Sequence, residues 1–129
     1  EQGVELVWHA FEDMVGGEIY VKKIPSMTML DLATAVSATA EQKIIGIRPG
    51  EKLHEQMISA EDSFHTYEYP EHFKILLAFI GWDGTPGRIR GGVEVPEGFV
   101  YASDDNSEWM TTEQLQEWIE TNKAKIGKI

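Results

Sequence analysis

The sequence predicts a small α/β domain, with short strands, helices packed against them and an amphipathic helix at each end. Three observations predict it. Apolar residues recur every three or four positions near the N-terminus, a strand-like run followed by a helix-like run occurs twice, and a well-capped helical pattern lies near the end. At 129 residues and 42% hydrophobic content, the chain has enough apolar material for one core and too much for disorder. It therefore reads as a single domain, 1–129.

Val4, Val7, Trp8, Phe11, Met14 and Val15 fall on one helical face, and Gly16–Gly17 stops that helix. Glu18 to Lys23 alternates, with Ile19 and Val21 opposite Tyr20 and Lys22, and reads as a strand. Thr28 then caps a second helix, with Asp31 at the capping-box position, Met27 stapling to Leu32, and Met29, Leu32, Ala33 and Val36 as its buried stripe. Lys43 to Arg48 reads as a second strand, ended by a Pro49–Gly50 turn, and Leu53, Met57 and Ile58 suggest a short third helix. Thr66 to Tyr69 and Phe73 to Phe79 read as strands separated by Pro70. Five glycines and a proline make 81–92 a loop or linker, and Val93 to Tyr101 has room for a short strand after Pro96. The last helix starts at Thr111 with Gln114 as box partner and Met110 stapling to Leu115. Trp118 and Ile119 extend its apolar face, and Lys123, Lys125 and Lys128 suit its C-terminus.

Composition narrows the function. The net charge of −11 is spread as −3, −5 and −3 over residues 1–50, 51–100 and 101–129. Such a surface repels phosphodiester backbones, so nucleic acid is not an expected partner, and an anionic ligand needs a local group of cations. With no cysteine there is neither a disulfide nor a thiolate site. The longest apolar run, Ile75 to Ile80, is strand-sized, so no membrane span is expected, and no signal peptide is visible. The expected setting is cytoplasmic. Because the chain begins at Glu1, inside an amphipathic pattern, it reads as a piece of something longer.

Neither G-x-G-x-x-G nor G-x-x-x-x-G-K-[ST] occurs, so the chain lacks the Rossmann dinucleotide-binding unit and the nucleoside-triphosphate loop. G-x-S-x-G is absent as well. His9 reads as a boundary residue. His65 and His72 flank Glu68 and Glu71, but Pro70 breaks the spacing a metal site would need, so no metal is expected. Trp8, Trp82, Trp109 and Trp118 are assigned to packing, as are Tyr67 and Tyr69, and Glu61–Asp62 to a solvated turn.

The stretch Ile44-Ile45-Gly46-Ile47-Arg48-Pro49-Gly50-Glu51-Lys52-Leu53-His54-Glu55 carries the chemistry. Its apolar start would deliver Arg48 to a strand's carboxyl end, where ligands of open α/β sheets gather. A guanidinium fork suits a diphosphate, Glu51 can accept from vicinal hydroxyls, and Lys52 adds a second cation. The plainer reading of the same spacing is a surface ion pair between Arg48 and Glu51, worth about 0 to 1 kcal/mol.

Together with Gly16-Gly17-Glu18-Ile19-Tyr20-Val21-Lys22-Lys23-Ile24-Pro25-Ser26-Met27, Asp31-Leu32-Ala33, Met57-Ile58-Ser59, Glu61-Asp62, Thr66-Tyr67-Glu68 and Gly98 to Trp109, this stretch resembles the inverting UDP-N-acetylglucosamine 4,6-dehydratases. These are polysaccharide-biosynthesis enzymes of the extended short-chain dehydrogenase/reductase type. The resemblance implies that 1–129 is the C-terminal, nucleotide-sugar-binding part, with NADP and the catalytic residues held upstream and no catalytic residue or cofactor in this chain. It maps the substrate contacts of Arg-Pro-Gly-Glu onto Arg48 and Glu51, with Lys52, His54 and Glu55 in supporting positions. A UDP-sugar is the implied ligand, weakly held in isolation, and a homo-oligomer the implied assembly. An oligomerisation or interaction domain derived from such an enzyme is the alternative. Phe73 to Phe79 and Gly81 to Arg90 depart from the family pattern, as does Ala102 to Asn106, where Ser-Ser-Asp-Thr-Asn is more usual.

Overall fold

The computed structural model describes residues 2–76 and 87–126, which fall into two compact units. One comprises Glu1–Ile24 and Gln56–Ala102, the other Pro25–Glu55 and Ser103–Ile129.

The first unit opens with α1 (Gln2–Asp13) and β1 (Ile19–Lys22), joined through Gly16 and Gly17, both at positive φ. That turn is fixed by Glu18, whose buried carboxylate accepts hydrogen bonds from the Val15 and Gly16 amides at 3.1 and 2.7 Å. Next come β2 (Gln56–Ile58), a 3-10 turn (Asp62–His65), β3 (Thr66–Glu68), β4 (His72–Ile75), β5 (Val93–Glu94) and β6 (Tyr101–Ala102). Four strands form an antiparallel sheet in the order β1-β4-β3-β5, and β2 pairs antiparallel with β6. Strand pleating separates two layers. Val21, Phe73 and Ile75 join Ile58, Val95 and Tyr101 in the apolar core, with Phe99 against it. On β4 the alternate residues, His72 and Lys74, are buried too.

That polar layer lies under α1. Lys74, 2% exposed, pairs with Asp13, donates to the Arg88 carbonyl at 2.9 Å and sits over the Tyr20 and Tyr69 rings. His72 stacks on Tyr69 and meets the His9 ring at 4.9 Å. Helix α1 thus turns its polar side to its own sheet and its apolar stripe outward: Val4, Val7, Trp8, Phe11 and Val15 are 53–67% exposed. The expected helix is present with its face reversed, because the groups beneath it are charged.

The second unit contains α2 (Met29–Val36) and α3 (Thr112–Ile126), packed on each other. Thr28 caps α2 by accepting from the Asp31 amide at 3.0 Å. At α3 the box is reciprocal: Thr111 Oγ1 accepts from the Gln114 amide and Gln114 Oε1 from the Thr111 amide. Leu115 is buried, but no residue of α2 is, and Met29 and Val36 of its expected stripe are 75% and 50% exposed.

Two expected elements are corrected. Lys43 to Arg48 forms no strand, because among the described residues no other strand pairs with it, and Ile44 and Ile45 are 83% and 76% exposed. The expected helix around Leu53 to Ile58 is instead an exposed bend leading into β2, which is held by β6. Of Val93 to Tyr101, only Val93–Glu94 and the start of β6 are strand. The expected strand to Phe79 is described as far as Ile75, with Leu76 after it, and its remainder lies outside the described residues. So do 81–86 of the expected glycine-rich loop and Trp82, while 87–91 form turns and a bend.

Candidate functional site

The segment singled out in the sequence lies in the second unit, on an exposed stretch between α2 and β2. Its centre is a tight turn. Gly50, at φ 88, occupies the third turn position, and the Glu51 amide donates back to the Arg48 carbonyl at 3.0 Å, the pattern of a type II turn with Pro49 before the glycine. Any L residue at 50 would be strained at that φ.

The turn brings Arg48 and Glu51 together. Glu51 Oε2 accepts from the Arg48 amide at 2.8 Å and Oε1 from Arg48 Nε at 2.7 Å. Both side chains are solvent-accessible, 74% and 40% exposed, so the pair itself adds at most about 1 kcal/mol. Its geometry matters more than its energy. Holding Nε leaves the terminal Nη1 and Nη2 groups without a hydrogen-bond partner among the described residues, a planar pair of donors spaced for two oxygens.

Lys52 is exposed one residue on. His54 Nδ1 lies 3.3 Å from Asp104 Oδ2, both half-exposed. The backbone of Glu55 is tied to Ser103, which donates its amide to the Glu55 carbonyl at 2.8 Å and accepts the Glu55 amide on Oγ at 2.9 Å. The 103–104 segment therefore anchors the end of the loop. Among the described residues, no group of three or more His, Asp and Glu side chains converges as a metal site would.

A second feature of this unit was assigned to packing in the sequence. Ser26 pairs in parallel with Trp109, donating its amide to the Glu108 carbonyl at 2.8 Å, while Met110 donates to the Ser26 carbonyl at 2.9 Å. Asn106 Nδ2 donates to Ser26 Oγ at 3.1 Å, and Trp109 Nε1 to the Asn106 carbonyl at 2.7 Å. The Pro-Ser-Met and Asp-Asn-Ser-Glu-Trp blocks thus meet. Beside them an open groove of about 670 Å³ is lined by Trp109, Trp118, Glu108, Glu117 and Gln114 among others. Trp109 and Trp118 are 45% and 51% exposed and Trp8 is 65% exposed, so these indoles are not core. The signal available earlier was the pairing of Trp118 with polar Gln114, Thr121 and Asn122 at helical spacing.

Other motif residues serve the backbone. Asp62 Oδ2 accepts from the Ser59 amide and hydroxyl at 3.0 and 2.7 Å, starting the 3-10 turn. Ser63 Oγ donates to the Ala60 carbonyl and accepts from the Gly98 amide, and Thr66 Oγ1 donates to the Asp62 carbonyl. Asp62 is therefore a capping residue, not merely part of a solvated turn.

A family model described as polysaccharide biosynthesis protein matches residues 1–76. Over 124 residues the chain is 44% identical to a UDP-N-acetylglucosamine 4,6-dehydratase (inverting) from Campylobacter jejuni subsp. jejuni serotype O:2, covering 92% of this chain and 37% of that one. The protein of that name from serotype O:23/36 is 43% identical over 120 residues, covering 89% and 36%. Among solved structures, Pen from Bacillus thuringiensis superposes with a TM-score of 0.75 at 27% identity, covering 95% of this chain and 36% of that one. The chain spans little more than a third of the length of these relatives. With its motif blocks, its family match and its fold in agreement, the chain belongs to the polysaccharide biosynthesis protein family.

Proposed function

We propose that residues 1–129 serve as a nucleotide-sugar recognition domain of a UDP-N-acetylhexosamine 4,6-dehydratase, with Arg48 and Glu51 meeting the nucleotide diphosphate. The observation that carries this is the Arg48–Glu51 turn. A free arginine loses side-chain entropy when it clamps a phosphate, whereas here the carboxylate already holds Nε and leaves the terminal donors outward. Glu51 retains acceptor capacity on both oxygens for ribose hydroxyls. Lys52 adds charge on a surface that is otherwise acidic, and His54 and Glu55 fix the loop through Asp104 and Ser103.

Turnover belongs to the longer protein. NADP, bound in the remaining part of such an enzyme, would supply hydride transfer at the sugar's C4 and its return to C6, in a cytoplasmic setting. The outward stripe of α1 supports a larger whole, since exposed apolar patches of that kind mark covered faces. Self-association as a homo-oligomer is part of the proposal.

The test is a titration of the 129-residue chain with UDP and UDP-N-acetylglucosamine, followed by amide chemical shifts. Binding is expected to be weak, with shifts centred on residues 46–52. Arg48→Ala should reduce affinity about tenfold or more, the range of a lost charge-assisted pair, while uridine, without phosphates, should scarcely respond to the substitution. No binding at millimolar nucleotide, or an Arg48→Ala variant that binds as well, overturns the assignment.

A further inference from the structure

We infer that α3 is a self-pairing surface, on which a second copy of this chain docks antiparallel with Trp118 near the two-fold axis. This rests on the self-association proposed above and names the surface that carries it.

Trp118 lies beside the midpoint of α3 and is half-exposed. Gln114, Thr121, Asn122 and Lys125 fall on the same helical face, three, four and seven residues away. The groove lies along this face, walled by Trp109 on the N-terminal side and bordered by the carboxylates of Glu108 and Glu117. No cation lines it; the lysines of α3, Lys123 and Lys125, lie in its last turn. Charge is therefore segregated along one axis, acidic before Trp118 and basic after it.

Segregated charge of this kind selects one pairing. In a parallel pair the acidic halves would face each other and repel. An antiparallel pair sets each acidic half on the other copy's basic half and opposes the helix dipoles favourably. A two-fold axis near Trp118 places Lys125, about 10 Å along the helix, level with the other copy's Thr111 and within side-chain reach of Glu108 on the preceding segment. The same axis inserts each Trp118 indole into the other copy's groove, between Trp109 and Gln114. The surface is complementary to itself, as a two-fold contact requires, and the indoles supply the buried aromatic anchors. Acidic and basic ends also suit a lone helix, but a lone helix gives no reason to leave two indoles half in water around a groove.

Sedimentation of the 129-residue chain across a concentration series tests this. Wild type should show a monomer–dimer equilibrium. Glu108→Lys and Lys125→Glu should each weaken it by roughly tenfold or more, through like-charge contacts. An equimolar mixture of those two variants should then regain dimer, because both contacts between unlike chains are again opposite in sign. Circular dichroism checks that each variant is folded. Phe11→Glu, on the apolar stripe of α1, should leave the equilibrium unchanged. If the two charge variants dimerise as wild type, or the mixture gains nothing, this surface is wrong; a dimer lost only in Phe11→Glu moves the contact to α1. A wild type that stays monomeric at all concentrations ends the self-association proposal as well, and leaves the nucleotide reading, tested separately, untouched.

Discussion

Two residues show opposite relations between pattern and place. Arg48 was legible as a cation at a Pro-Gly turn, and the turn itself forms as its sequence requires. The spacing left ion pair and phosphate ligand both open, and the structure forms the ion pair while leaving the terminal guanidinium donors outward. Lys74 was not legible. An alternating His-Phe-Lys-Ile strand reads as lysine toward water, yet Lys74 is 2% exposed because α1 brings Asp13 over it from 61 positions away. Burial of the Asp13 carboxyl would raise its pKa, but the hydrogen bonds from Lys74 and Tyr20 and the charges of Lys74 and His9 outweigh this and lower it. Asp13→Asn should therefore strand a buried ammonium. Removing one partner of a buried pair costs about 3 to 5 kcal/mol; with Asp13 36% exposed and the Arg88 carbonyl retained, about 2 to 3 kcal/mol is expected here. Urea midpoints of the two proteins check it, and equal midpoints would show that the pair contributes nothing net.

Among elements, those specified by their own ends were readable and those specified by distant partners were not. Thr111 and Gln114 mark the start of α3 by a local exchange of two hydrogen bonds, visible at a spacing of three residues. Thr111→Ala should cost about 1 kcal/mol, measured as a lower unfolding midpoint, with early loss of amide protection in the first turn of α3. The run Lys43 to Arg48 has the composition of a strand, but a strand exists only where another backbone takes its hydrogen bonds, and none of the described strands does. Likewise Met57 and Ile58 suit a helix or a strand, and β6 decides between them. Gly92 shows the same dependence in a loop. A Cβ there would lie 2.7 Å from the Tyr69 ring, which is stacked on His72. Gly92→Ala must displace that stack and should cost about 1 to 3 kcal/mol, whereas Gly87→Ala, with open space at its Cβ, should not. Comparable losses for both would place the strain in the backbone instead of the ring contact.

Across the whole molecule, acidity sets competing trends, and magnitude decides which appears first. With net charge −11, protonating carboxylates relieves self-repulsion, but free carboxyls titrate near pH 4. The first change on acidification comes from the layer under α1. Burial, reinforced by the charges of His9 and Lys74, lowers the His72 pKa from 6.5 to about 4; Asp13 acts to raise it and Lys22 to lower it further. His72 Nε2 is buried without a hydrogen-bond partner, as suits a neutral ring. Between those two values the unfolded chain binds a proton that the folded chain refuses, so stability falls as pH falls. From pH 7 to pH 5 the loss should reach about 2 kcal/mol, at about 1.4 kcal/mol per unit below the free histidine's pKa. The lowered pKa of Asp13 works in the same direction, but only on further acidification, as its carboxylate is protonated. His72→Phe keeps an aromatic ring against Tyr69 and removes the proton acceptor. Its urea stability should change little between pH 7 and pH 5 while that of wild type declines. If both proteins decline in parallel, the acid sensitivity originates elsewhere, and the polar layer beneath α1 is not its source.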